Sequence, residues 1–179
     1  MGALKIKNGA VTSIKVRDGS LTGADLAPGA VTPSRISGVP SVRAFNSADE
    51  AIPTGAFTSL TLNSERFDAT GMHRTDIDTS RITIATAGIY LVTGDVTWLN
   101  APGGRELNVR KNGTTIVARA VQAADPGANT SDQSLTTLVQ LAAGDYVELV
   151  VRQNAGAPVT IAAASEYSPE FSAVWVAPA

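Results

Sequence analysis

Residues 7–36, KNGAVTSIKVRDGSLTGADLAPGAVTPSRI, repeat with a period of ten. Gly9, Gly19 and Gly29 share one phase of the repeat, and Thr12, Thr22 and Thr32 share another. An apolar side chain returns every five residues, at Ile6, Val11, Val16, Leu21, Leu26, Val31 and Ile36. Five is neither the 3.6-residue period of a helix nor the 2-residue period of a strand, so the row belongs to neither element. Asn8-Gly9 and Asp18-Gly19 are turn signals, because both residues of each pair accept positive φ. Pro28-Gly29 holds the same place in the third unit, and the threonines are positioned to N-cap single helical turns. A unit this small cannot bury its own apolar residue, which is the physics of repeat arrays. Three units stacked in one chain make only thin layers. Parallel copies around a shared axis would turn the row inward as a stalk, closed by cyclic symmetry. A flexible leader has no reason to keep such strict spacing. The expected organisation is a stalk or anchor over residues 1–39, with Ser37-Gly38-Val39-Pro40 as its exit, and a separate domain over residues 40–179.

From residue 40 the pattern is that of an all-β domain. Ile82 and Ile84 alternate with Arg81 and Thr83; Tyr90, Val92, Val96 and Trp98 line one face of a long strand. Gly94 within that strand indicates a bulge or a close backbone approach. Leu107 and Val109 lead into Asn112-Gly113, and Ile116-Val117 follow, which is a hairpin signature. Residues 135–141 and 146–152 flank Ala143-Gly144-Asp145 and read as another hairpin. Residues 159–163 and 171–176 complete a set of short strands separated by turn signals, as in a sandwich or jelly roll. With aromatic residues at only 5% of the chain, small and β-branched side chains must fill that core.

The order and spacing of several of these segments resemble the globular heads of complement's first component and of tumour necrosis factor. The matching positions are Phe67, Ala87-Gly88-Ile89-Tyr90, Asn112-Gly113, residues 141–147 (LAAGDYV) and the final strand from Phe171 to Val176. The resemblance implies a ten-stranded jelly-roll head that assembles as a homotrimer. FDATGMH (residues 67–73) and the decads also resemble fibre-like and minor tail proteins of phages infecting high-GC bacteria. Decads stand where the complement heads carry a Gly-X-Y stalk.

Catalysis is not indicated. Cysteine is absent, which removes thiol chemistry, and no Ser-His-Asp constellation is recognisable in the sequence around His73, the single histidine. No cofactor and no resident metal are expected. Asp68, Asp76 and Asp78 share one acidic region, and some heads of the resembled family hold calcium. Asp76 and Asp78 are the calcium candidates, but no EF-hand spacing fixes ligands and a solvated loop is the simpler reading. Trp98 and Trp175 lie in alternating strand patterns and read as packing residues rather than sugar platforms. Gly103-Gly104-Arg105 has no phosphate-loop context and reads as a strand connection.

A formal net charge of −2 argues against a nucleic-acid partner. No apolar run approaches the ~20 residues of a membrane span. The first residues, MGALKIK, lack the apolar core of a signal peptide, so synthesis in a host cytoplasm and release within a particle are expected. The function that fits is a structural protein of a bacteriophage virion surface, with a homotrimeric head for host attachment. Its partners are then itself, other virion proteins through the stalk, and a host-envelope glycan. A trimeric capsid decoration protein and a non-viral bacterial surface module are the alternatives. Receptor contacts are expected on the polar connections 63–80 and 123–134, with Arg66, Asp68, His73, Arg74, Asp125 and Asn129 as the candidates.

Overall fold

A computed structural model describes residues 6–7, 9–32, 38–125, 127–164 and 169–179. Contacts divide the chain into two units, Met1–Ser37 and Gly38–Ala179.

In the first unit the decads are alike in structure as well as sequence. Tight turns close from Ala10 N–H to Lys7 C=O, Ser20 to Arg17 and Ala30 to Ala27, at 2.9–3.0 Å. Gly9, Gly19 and Gly29 follow at φ 74°, 72° and 77°, a backbone region that glycine enters without steric cost. Between these turns stand two 3-10 turns, Ser13–Lys15 and Gly23–Asp25, preceded by Thr12 and Thr22 as N-caps. At the second, the Thr22 backbone N–H and hydroxyl both donate to Asp25 Oδ2 at 2.8 Å. The turn expected after Thr32 lies outside the described residues.

The second unit is a sandwich of two antiparallel sheets. Its strands are β1 Ser41–Phe45, β2 Glu50–Ile52, β3 Thr58–Ser59, β4 Ser64–Asp68, β5 Arg81–Thr83, β6 Gly88–Leu99, β7 Gly104–Lys111, β8 Thr115–Ala123, β9 Thr130–Leu141, β10 Tyr146–Gln153, β11 Val159–Ile161 and β12 Glu170–Ala177. One sheet runs β2-β11-β6-β12-β1-β4, with β9 on the free side of β6; the other runs β3-β10-β7-β8, with β5 also on β10. Among the described residues, twelve segments stand where ten strands were expected. The excess lies between residues 50 and 83, where Pro53 and Gly55 separate two short segments that join opposite sheets.

Alternation decides the core. On β6, Tyr90, Val92, Val96 and Trp98 point inward and are at most 2% exposed, while Ile89, Leu91, Thr93 and Asp95 lie half-buried on the outer face. They meet Leu107, Val109, Val147, Leu149 and Val151 of the second sheet in one cluster. Polar tips within it are satisfied: Tyr90 Oη donates to the Thr86 carbonyl at 2.7 Å, and Trp98 Nε1 to Gln133 Oε1 at 2.9 Å. Arg105 closes the end of this core rather than serving as a connection. It is 1% exposed, its guanidinium donates to the carbonyls of Ala101, Pro102 and Gly104, and it stacks 5.2 Å from the Trp98 ring.

Of the two readings of Gly94, the close approach is correct. β6 and β9 pair through Gly94 without a register shift, and a Cβ there would lie 2.3 Å from Leu149 Cδ1. The Asn112-Gly113 hairpin forms as expected, with φ 51° and 69° at the two turn residues. The second expected hairpin does not form. β9 pairs with β6 and β10 with β7, so the turn through Ala143-Gly144-Asp145 crosses from one sheet to the other. Asp145 pins that crossing: its carboxylate accepts from the Ala142 N–H at 2.8 Å and Asn112 Nδ2 at 2.8 Å, and pairs with Lys111 Nζ at 2.6 Å. The bond from Lys111, then those from Asn112 and Ala142, hold its carboxyl down at about 2.

Two predictions follow from this packing. Gly94→Ala should destabilise the head by about 1–3 kcal/mol in denaturant unfolding, because the added methyl would force the fully buried Leu149 side chain to shift. Asp145→Asn should cost about 1–2 kcal/mol near neutral pH. Because the folded-state carboxyl titrates below its unfolded value of about 4, its contribution is complete above that value and is lost as pH falls toward 2. The wild-type advantage in a series of melts should therefore shrink over that acidic window.

Candidate functional site

The outer face of the first sheet carries two adjoining regions, one charged and one apolar. Cross-strand register sets Glu170 on β12 between Asp95 on β6 and Phe45 on β1. Glu170 is 2% exposed, and both its oxygens are held. Arg43 pairs with Oε2, and Arg66 Nε donates to Oε1 at 2.9 Å while its guanidinium stacks 4.0 Å from the Phe45 ring. Burial, and then the charge of Glu170, raise the carboxyl of Asp95 above the ordinary aspartate range, opposed by Arg43. Next to this node, Leu138, Leu91 and Val174 are in register across β9, β6 and β12. An open groove of about 380 Å³ runs here, lined by Phe67, Leu91 and Val174 together with Arg43, Asp95 and Glu170. Leu138 is 62% exposed and Phe67 51%, which is unusual for apolar side chains on a sheet face.

The residues expected to meet a receptor do not converge. His73 is a correction: its side chain is fully buried, with Nδ1 2.9 Å from Glu65 Oε1 and Nε2 3.0 Å from the Thr79 carbonyl. Asp68 faces inward on its own loop, accepting from the backbone N–H groups of Thr70, Gly71 and His73 at 2.8–3.1 Å. Arg66 lies on strand β4 and belongs to the Glu170 node. Arg74 is exposed and forks onto Asp76 at 2.9–3.0 Å, and Asp78 pairs with Arg81 at 3.1 Å. The calcium candidates are thus each committed to an arginine, and among the described residues no three metal-ligating side chains gather. β9 begins at Thr130, so the second connection is shorter than expected. Asp125 and Asn129 are exposed on it, and Asp125 Oδ1 accepts from the Gly127 N–H at 2.9 Å. Trp98 is a core residue; half-buried Trp175 donates to the Ala87 carbonyl at 3.3 Å.

In the first unit, Ile6, Val11, Leu21, Leu26 and Val31 are 48–71% exposed, and Val16 is partly covered. Ile36 lies outside the described residues.

The Glu170 node went unseen in the sequence because its members are far apart in the chain. The one available signal was Arg43 alternating with the apolar Val42 and Ala44 on a short strand.

No protein-family model and no curated protein matches this sequence. Solved structures do match its shape. Murine APRIL superposes with a TM-score of 0.60 at 12% identity, covering 78% of this chain and 100% of that one. Eiger TNF from S. frugiperda superposes at 0.58 and 14% identity, covering 79% and 94%. The globular domain of zebrafish complement 1qA covers 78% of this chain at a TM-score of 0.47 and 15% identity. Gly38–Ala179 has the jelly-roll fold of tumour-necrosis-factor-like domains.

His73→Ala removes the two hydrogen bonds of a fully buried side chain and leaves a void. It should cost about 2–3 kcal/mol and expose residues 69–80 to protease at a lower temperature than the rest of the head.

Proposed function

We propose that this protein is a homotrimeric virion-surface protein of a bacteriophage, of the tail-fibre or minor tail kind. Its jelly-roll head meets the host envelope, and its decad unit is the stalk that joins it to other virion proteins. The observation that carries this reading is the row of apolar side chains at five-residue spacing, exposed in the single chain. Burial of each such side chain contributes roughly 1.5–3 kcal/mol, and three copies around one axis supply the missing partner surface. The strip of exposed Leu138 and Val174 with half-buried Leu91 between them gives the head its own surface for a second copy. The protein acts by binding and does not catalyse a reaction.

Sedimentation at micromolar concentration should give three times the chain mass, and a stable monomer would sink the proposal. Leu21→Asp sets three carboxylates in one apolar layer, each costing several kcal/mol. Residues 1–36 should then lose protease resistance while the head remains folded. Antibody to the head on intact particles should decorate tails; decoration of capsids would mark a lattice-stabilising protein instead.

A further inference from the structure

We propose that the outer face of the second sheet binds a carboxylated polysaccharide. The arginines would take its carboxylates and the exposed Phe57 ring a sugar face. The proposal rests on the reading above for its biological setting, but its chemistry comes from the face itself. Arg152, Glu106 and Val121 are in register across β10, β7 and β8. Glu106 keeps only 7% of its side chain exposed and has two cations on it, Arg119 at 2.9 Å and Arg152 at 3.8 Å. One acid between two guanidiniums leaves one positive charge in excess. Arg119 and Arg152 remain 55% and 42% exposed, and each fork has five N–H donors of which Glu106 engages few; Arg152 Nε also donates to the Gly55 carbonyl at 3.0 Å. An open pocket of about 210 Å³ lies between them. Phe57, 49% exposed, stands 5.5 Å from the Arg152 guanidinium.

The arrangement recurs along the same strands. Glu148, with 6% of its side chain exposed, lies between Arg110 at 3.0 Å and Arg81 at 4.0 Å, and Arg81 stacks 4.3 Å from the Tyr146 ring. With Asp78 also on Arg81 at 3.1 Å, four arginines stand against three carboxylates, and the excess positive charge lies at the first centre, on a chain of net charge −2. The two centres, four residues apart along β7, are separated by roughly 13 Å. A small anion would occupy one centre, whereas a polymer with a carboxylate on successive sugars reaches both. Guanidinium forks match carboxylate geometry in pairs, and an aromatic ring beside a fork adds a platform for the apolar face of a pyranose. Weak contacts on each chain are multiplied if three heads share one polymer.

The test uses the full chain on immobilised polygalacturonate, with uncharged dextran and inorganic polyphosphate as the other supports. Wild type should be retained on polygalacturonate and not on dextran, and salt should release it. Arg119→Gln/Arg152→Gln/Glu106→Gln removes the first centre without leaving a buried acid unpaired. With its melting curve unchanged, it should bind at least tenfold more weakly. Phe57→Ala, at an exposed position, should weaken binding severalfold and supplies the readout if the triple variant does not fold. Wild-type retention by either the folded triple variant or Phe57→Ala overturns the proposal, as does retention of wild type on polyphosphate alone. A trimer that labels virions yet ignores polygalacturonate overturns this inference and leaves the function. One that binds polygalacturonate but is absent from virions does the reverse.

Discussion

The head is organised by the contact between its two sheets along β6. Gly94 lets Leu149 of β10 enter against the backbone of the facing sheet, and Tyr90, Val92, Val96 and Trp98 fill the layer on either side. Interiors pack at the density of organic crystals, so one such interlock fixes the separation of the sheets for every residue between them. It also fixes which side chains lie outside. Leu91, Thr93 and Asp95 are put on the outer face because their neighbours are committed to the inner one.

Those outer faces are built on one recurring motif. Glu170, Glu106 and Glu148 each stand on a strand with almost no solvent exposure, and each lies between two arginines: Arg43 and Arg66, Arg119 and Arg152, Arg110 and Arg81. Long arginine stems cover the carboxylate while their charged ends stay wet. An unpaired buried acid would be costly, so the arginines are structural partners first. On the second sheet Arg119 and Arg152 remain half exposed, with Phe57 beside Arg152, and it is there that we propose the motif serves recognition.

Much of the fold was legible in the residues. Strict alternation around Tyr90–Trp98 placed β6 and its core face, and Asn112-Gly113 placed a hairpin, because both signals are local. The turn through Gly144 was legible as a turn and misread as a hairpin. Its residues have the same chemistry whether the next strand returns to the same sheet or crosses to the other, and Asp145 secures the crossing through Lys111 and Asn112, more than thirty residues away. His73 and Asp68 read as binding residues because they are polar and lie in a polar stretch. They turned out to hold the loop from within, through Glu65, the Thr79 carbonyl and three backbone N–H groups.

The sequence by itself determined the decad turns, since each is closed by residues three apart and by a glycine at positive φ. It also determined which side chains of each long strand share a face, since a strand's period is built into its backbone. The tertiary structure alone decided which sheet each strand joined and which charges met across it. Strand pairing joins segments distant in the chain, and an arginine's partner is set by register: Arg43 reaches Glu170 from 127 residues away only because β1 and β12 lie side by side.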